Sequence, residues 1–301
     1  MTQITAEMVR DLRERTGVGM MDCKKALVAA NGEIDIAIET LRKAGQASAV
    51  KKGNRIAAEG VVSVASTADN KTAVIVEVNC ETDFVAREAR FKSFAQQAVN
   101  CALVAGVKNS ESLVQTQLDS GKTIEETRLE LVSQLGENLA VRRIYAVHAE
   151  ANGITAAYVH GGEAGTARIG AVVALSINDA ALAKNLTMHI AAMKPEYISE
   201  TEVPAERIAK EKEILLAQAQ EANAGKPLEI LEKIIDGKMG KFLKEITLLG
   251  QPFIMDPDQT VGALLNSAKA KVTDFVRFEV GEGIEKKVTD FVGEVMSQVK
   301  G

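Results

Sequence analysis

The sequence predicts an α+β protein in which strands and helices come in blocks rather than alternating one by one. Three observations carry this. The first 44 residues hold three short segments of helical apolar spacing and no strand. Strand-like segments followed by helix-like segments then occur twice, over about 60–135 and again over 142–193, which predicts two related α+β halves. From 204 to 242 two longer apolar stripes flank a break, the pattern of an antiparallel helical hairpin inserted in the second half.

In the first block Thr5 is placed to cap a helix carrying Met8, Val9 and Leu12 on one face, which Gly17 and Gly19 stop. Asp22 is placed to cap a second, with Ala26, Leu27 and Ala30 inward and Asn31-Gly32 as terminator. Ile34, Ala37, Ile38 and Leu41 mark a third. Three helices in so short a stretch make a minimal bundle with a thin core, and 45–54 reads as a linker. A hairpin of strands follows at 60–65 and 72–78, the second half-buried with Val74, Val76 and Val78 on one face. Phe91, Phe94, Ala95, Ala98 and Ala102 recur at helical spacing, and helices continue to about 135. Strands are expected at 142–149, 155–160 and 168–177, then a helix over 180–193 ending before Pro195.

Pro204 starts the first helix of the hairpin, with Ile208, Leu215, Ala219 and Ala222 on one face. Asn223-Ala224-Gly225 breaks it, and Pro227 restarts a helix with Leu231, Ile234, Ile235 and Phe242 inward. At about 1.5 Å per residue the hairpin is roughly 25–30 Å long. A helix over 260–269, a strand over 272–280 and a terminal helix over 283–299 complete the chain.

Composition bounds the chemistry. At 301 residues the chain can bury two or three cores, and 46% hydrophobic with 26% charged residues is ordinary for a globular protein. With no Trp and 4% aromatics, the cores are built mostly from Ala, Val, Ile, Leu and Met. Three cysteines (Cys23, Cys80, Cys101) form no close pair, so reduced thiols are expected. Neither they nor His148, His160 and His189 cluster at metal-ligand spacing. The opening residues are amphipathic and carry acids, unlike a signal or transit peptide, and no stretch approaches the roughly 20 apolar residues that span a bilayer. A cytoplasmic protein is expected. Residues 1–55 carry ten Lys/Arg against seven Asp/Glu, a net of +3, on a chain whose total is −5. That mild asymmetry fits a solvated face best, then a contact with an acidic protein surface, and less well, given the interspersed acids, a phosphate backbone.

Two stretches stand out. Asn79-Cys80-Glu81-Thr82-Asp83-Phe84-Val85-Ala86-Arg87 lies at the turn from the strand at 72–78 to the following helix. Local sequence leaves two readings. Thr82 or Asp83 caps the helix and Phe84 is a core aromatic, or the turn presents Thr82, Asp83, Phe84 and Val85 outward for recognition. Thr-Asp-Phe-Val recurs at 273–276, where Val276, Phe278 and Val280 alternate as in a strand, and at 289–292, within a helical stripe. Those copies read as scaffold, so the tetrapeptide alone is weak evidence. The second stretch, Gly17-Val18-Gly19-Met20-Met21-Asp22-Cys23-Lys24-Lys25, puts two methionines on a glycine turn. They serve either an adaptable contact surface or the closure of the small core.

Arg13-x-x-Thr16-Gly17-Val18-Gly19-Met20-Met21-Asp22-Cys23-Lys24-Lys25-Ala26-Leu27 resembles the amino-terminal signature of the elongation factor Ts family, and residues 79–87 resemble its second signature. The resemblance continues through Gln251-Pro252-Phe253 to 278–286 and covers nearly the whole chain. It implies a three-helix module of the ubiquitin-associated type with its linker at 1–55 and a duplicated α+β core, one half at 56–140. The other half, at 141–203 and 243–281, is interrupted by a coiled-coil hairpin at 204–242 through which many bacterial members pair with themselves. A C-terminal helix module occupies 282–301. It implies a guanine-nucleotide exchange factor for elongation factor Tu that binds the GDP form, displaces Mg²⁺ and promotes GDP release. Thr82, Asp83, Phe84 and Val85 would act near the metal. Val18, Gly19, Met20 and Met21 would bind through the N-terminal module, and His160 would lie near a second contact. The loop 162–166 looks longer than in some relatives. No cofactor, no nucleic acid and no membrane is implied.

The residues exclude other classes. There is no Gly-x-x-x-x-Gly-Lys-[Ser/Thr] loop. Gly281-Glu282-Gly283 starts like a dinucleotide fingerprint, but Lys286 stands where the third glycine belongs. The glycine-rich 161–165 lies between strands, without the helix N-terminus that phosphate needs. No nucleophile–base pair is evident, so covalent catalysis is not expected. An RNA-binding or other non-catalytic translation accessory protein is the alternative, and few aromatics with a net −5 speak against RNA. A GDP-binding enzyme lacking its usual motif would bind labelled GDP in isolation, whereas an exchange factor would not.

Overall fold

The computed structural model describes residues 3–162, 165–222 and 228–285. Helices α1 (Ala6–Thr16), α2 (Met20–Ala29) and α3 (Ile34–Lys52) enclose a small core of Leu12, Val18, Cys23, Leu27, Ala37 and Leu41. Thr5 caps α1, accepting from the Met8 N–H. The cap of α2 is Gly19 rather than Asp22, because the helix begins at Met20. Asp22 then lies in the first turn, where a negative charge still complements the helix dipole.

Strands β1 (Glu59–Ser66) and β2 (Thr72–Cys80) form the expected hairpin. Helices α4 (Asp83–Arg87), α5 (Ala89–Ala105), α6 (Ser110–Val114) and α7 (Ile124–Leu135) follow, then β3 (Ala140–His148). The sequence groups that last strand with the second half, yet its backbone pairs with β2, Ile75 opposite Tyr145. The second half begins with β4 (Ile154–His160), β5 (Thr166–Ala167) and β6 (Ile169–Leu175). The two-residue β5 carries no periodic signal of its own. It pairs with β1 and completes a first sheet of order β3-β2-β1-β5. Helices α8 (Ala180–Met193), α9 (Ala205–Ala222) and α10 (Leu228–Ile246) precede the small pair β7 (Pro252–Phe253) and β8 (Asp256–Thr260). Helix α11 (Val261–Ser267) leads to β9 (Val272–Glu279), which closes a second sheet of order β4-β6-β9.

The architecture is therefore mixed helix and sheet, in layers. Val74, Val76 and Val78 of β2 face Phe91, Phe94, Ala95 and Ala98 of α5. The opposite face, with Ala73 and Ile75, meets Val172, Ala174 and Phe278 of the second sheet. The far side of that sheet packs on Leu182, Leu186 and Ile190 of α8. Strand β2 is thus buried on both faces, not half-buried as its alternation predicts, because a second sheet covers the side where polar exposure was expected.

The linker expected at 45–54 is helical through Lys52. Gly45 reads as a breaker in sequence, but a Cβ there would meet Ser133 Oγ at 2.9 Å, so the glycine marks where α3 crosses α7 closely. The alanine-rich run around it favours helix, and Ala49 is buried in the first core. In the hairpin, Leu215, Ala219, Leu231, Ile235 and Met239 form a separate cluster. Arg207, early in α9, lies over the ring of Phe242, late in α10, so the helices run antiparallel. Buried His189 anchors its foot: Nε2 donates to Gln251 Oε1 (2.9 Å), whose amide nitrogen donates to the carbonyls of Met193 and Glu245. The copy at 273–276 lies in β9 as expected. Residues 283–285, where the terminal helix over 283–299 is expected to begin, are not helical, because the chain is still in the turn closed by the Ile284 N–H on the Gly281 carbonyl. The hairpin break at 223–225 with Pro227, the rest of the expected terminal helix and the copy at 289–292 lie outside the described residues.

One buried charge ties the layers together. Glu77 projects from β2 between the sheets with no solvent exposure. Register shifts opposite it, so that Glu77 pairs with Arg143 and Val78 with Val141. This bulge turns consecutive Arg142 and Arg143 toward one carboxylate, at 3.2 and 2.5 Å. Asn79 Nδ2 and the Gly281 N–H also donate to it, at 2.9 and 2.8 Å. Gly281 adopts φ 76°, and a Cβ there would meet the Ala58 carbonyl at 2.3 Å. Burial pushes the Glu77 carboxyl up, but the Gly281 N–H, Asn79 and Arg143 outweigh it and hold it below its ordinary value.

Replacing Glu77 by Gln keeps the volume and removes the buried counter-charge of both arginines, leaving Arg143 only the more exposed Glu282 at 3.4 Å. Urea unfolding should show a loss of about 3 kcal/mol, the low end for a broken buried pair because the guanidinium groups keep partial exposure. The Glu77 contribution is complete above the ordinary value of 4.5 and is lost as pH falls through the lower folded value, so the variant should lack that acid limb of the stability curve. An unchanged acid limb would refute the assignment.

Candidate functional site

The turn after β2 is held from behind. Cys80 is buried, its Sγ donating to the Thr82 carbonyl at 3.1 Å. Burial, with Glu137 and Glu59 nearby, pushes the thiol up to about 12. Glu137, on the loop after α7, grips the turn with both oxygens. Oε2 accepts from the N–H groups of Glu81 (3.1 Å) and Thr82 (3.0 Å), and Oε1 accepts from the Thr82 hydroxyl at 2.5 Å. Glu81 reciprocates, Oε1 accepting from the Asn138 N–H at 2.6 Å.

Thr82 then caps α4, its hydroxyl accepting from the Val85 N–H at 3.4 Å. The helix is a single turn, fixed by buried Ala86 and by Val85 against the first core. That orientation leaves Asp83, Phe84 and Arg87 outside. Phe84 is 80% exposed, and Asp83 pairs with Arg87 at 2.7 Å across one turn. Each local reading is half right: Thr82 caps, yet Phe84 is no core aromatic. Burying such a ring is ordinarily worth roughly 1.5–3 kcal/mol, which this fold forgoes.

The other expected residues lie elsewhere. Met20 and Met21 open α2, 57% and 67% exposed, with Gly19 at the cap before them. Val18 belongs to the module's own core and does not face outward. His160 ends β4, exposed, with Nδ1 at 3.0 Å from the Tyr158 hydroxyl. The loop beyond it includes Glu163 and Ala164, outside the described residues.

Glu137 and Asn138 were not legible in advance. They follow Gly136, which ends α7, and nothing in their spacing shows that they reach back to the turn. The same loop also holds the N-terminal module. Asn138 Nδ2 donates to the carbonyls of Gly53 (3.3 Å) and Arg55 (2.9 Å), just past α3, and Arg55 lies 3.5 Å from Glu81. Gln134 Nε2 donates to the Thr16 carbonyl at 2.8 Å. Among the described residues no group of His, Cys, Asp and Glu could hold a metal ion, and no helix is long and apolar enough to cross a membrane.

Residues 81–282 match the family model described as elongation factor TS, a match that begins inside the turn just described. The chain is 51% identical over 300 residues, all of both chains, to a protein named elongation factor Ts from Legionella pneumophila strain Philadelphia 1. It is 52% identical over 298 residues to one of that name from Thioalkalivibrio sulfidiphilus, and 50% over 296 residues to another from Xanthomonas campestris, covering 99% and 98% of each pair.

The exposure pattern fixes how substitutions at the turn should act on folding. Thr82→Ala loses both a helix cap and the hydroxyl's bond to the Glu137 carboxylate and should cost about 2–3 kcal/mol in chemical denaturation. Phe84→Ala should stay within about 0.5 kcal/mol of the parent. Phe91→Ala, at a fully buried ring seven residues on, should cost about 3–5 kcal/mol. Equal losses at Phe84 and Phe91 would contradict the outward placement of Phe84.

Proposed function

The chain belongs to the elongation factor Ts family, and on that premise we propose that it is a guanine-nucleotide exchange factor for elongation factor Tu, acting in the cytoplasm during translation elongation. The observation that carries the reading is Phe84, an exposed aromatic beside Asp83 on a braced one-turn helix.

The partner's GDP is held by a phosphate loop and by Mg²⁺, which bridges phosphate oxygens. The factor need not touch the nucleotide and catalyses no covalent step. It must bind the empty, metal-free partner better than the GDP–Mg²⁺ form. Whatever factor it takes from GDP affinity, GDP takes from its own, and each tenfold requires about 1.4 kcal/mol of differential contact. Phe84 supplies an apolar body that enters between helices of the nucleotide domain near the metal. Asp83 supplies an acceptor that redirects hydrogen bonds there, releasing Arg87 as it does so. Val85 and Thr82 hold the pair in place.

Met20 and Met21 add affinity through the N-terminal module, which has the ubiquitin-associated arrangement, with Gly19 and Val18 shaping the turn beneath them. The two core halves are duplicates, and His160 meets a second domain of the partner. The α9–α10 hairpin joins two copies, giving a two-plus-two complex. Its exposed Ile214, Leu216 and Ile230 support that role.

Two measurements test this. In stopped-flow release of fluorescent GDP from elongation factor Tu at saturating factor, Asp83→Ala/Phe84→Ala should be slower by about 10²-fold or more with Mg²⁺ present, and less affected when the metal is chelated. Release at the parent rate from a folded double variant would sink the assignment. Joining 203 directly to 243 should convert the two-plus-two species to one-plus-one in sedimentation. Unchanged stoichiometry would place self-association elsewhere.

A further inference from the structure

A wedge works only if it is stiffer than what it parts. Strand β2 is buried on both faces, but its hydrogen-bonded register ends at Cys80, and α4 is too short to hold itself. Between them the chain runs through Glu81 and Thr82. Without an outside partner, two successive N–H groups there would be bonded only by water, and the turn could swing. The Glu137 carboxylate accepts both of these N–H groups and the Thr82 hydroxyl. The same hydroxyl oxygen caps α4 through the Val85 N–H. One carboxylate thereby fixes the residue before the wedge, the cap that starts its helix and the direction in which Phe84 leaves the surface. The Glu137 carboxylate is bonded to Glu81 and Thr82 and not to Asp83, so its influence on the pair passes through Thr82.

We propose that Glu137 is a positioning residue for nucleotide exchange: it holds the Thr82 turn so that Asp83 and Phe84 enter the partner already oriented. This rests on the wedge reading of those two residues. Removing the carboxylate leaves the outward ring in place but lets it sample many directions, so the loss should fall on the maximal rate and not on docking. The remaining contacts with the partner lie on other elements.

The test is GDP release from elongation factor Tu as a function of factor concentration, with the full-length chain and its variants. Glu137→Ala should lower the maximal release rate about tenfold, the scale on which misplaced groups act, while the half-saturating concentration shifts by no more than about twofold. Glu137→Gln keeps an oxygen for the two N–H groups and an amide that the Thr82 hydroxyl can accept from, so it should recover most of the rate. Placed in an Asp83→Ala/Phe84→Ala background, Glu137→Ala should slow release no further, because neither side chain is left to orient.

Losses that multiply in that background would show that Glu137 acts independently of the Asp83–Phe84 pair and would overturn the proposal. So would parent-rate release from Glu137→Ala, or a loss confined to the half-saturating concentration. Parent-rate release from Asp83→Ala/Phe84→Ala itself would remove the wedge reading and this inference with it. A slow Asp83→Ala/Phe84→Ala beside a fast Glu137→Ala would leave the wedge standing and remove only Glu137.

Discussion

A single carboxylate without solvent contact, Glu77, sets the relation between the two sheets. A charge in that position is tolerated only with its hydrogen-bonding capacity filled, and filling it requires features far apart in sequence. The bulge in β3 brings two arginines to it. Beyond it, Arg143 donates to the Glu279 carbonyl and stacks 4.1 Å from the Phe278 ring centroid, while Arg142 donates to the Glu282 carbonyl. The end of β9 is thus pinned against β2. Apolar contacts between the sheets would be satisfied by several offsets. The ionic group admits one, because a one-residue slip would turn Glu77 toward the valine-and-phenylalanine core.

That arrangement explains why the turn that carries Phe84 sits where it does. Strand β2 is central in its sheet and covered on both faces, so its end is the least movable point on that side of the molecule. The loop after α7 adds a second anchor, bonded to the turn through Glu137 and to the exit of α3 through Asn138. The exit of the N-terminal module and the turn carrying the exposed phenylalanine are therefore bonded to one short stretch of backbone, beside the packing of α3 on α7. Contact at either is felt by the same few hydrogen bonds.

Much of this was readable in the sequence, for reasons that can be stated. Apolar periodicity marks each long helix because one face of each meets a core, and it placed α1, α5, α8, α9 and α10. It misjudged residues 45–52, since a glycine required by a helix crossing is spelled the same way as a glycine that ends a helix. It grouped β3 with its sequence neighbours because strand partnership is a long-range property with no local mark. It left the Phe84 ring undecided because exposure depends on what the rest of the turn is tied to. The tie, Glu137, lies 55 residues from Thr82 and looks like any surface acid.

The thiol behind the turn has a consequence of a different kind. Cysteine reacts with oxidants and electrophiles as the thiolate. With Cys80 pushed up to about 12, only about one molecule in 10⁵ carries that form at neutral pH. The sulfur behind the Phe84 turn is thus held in its less reactive protonated form, its proton committed to the Thr82 carbonyl. An oxidant that works through the thiolate therefore finds little to attack at the root of the turn.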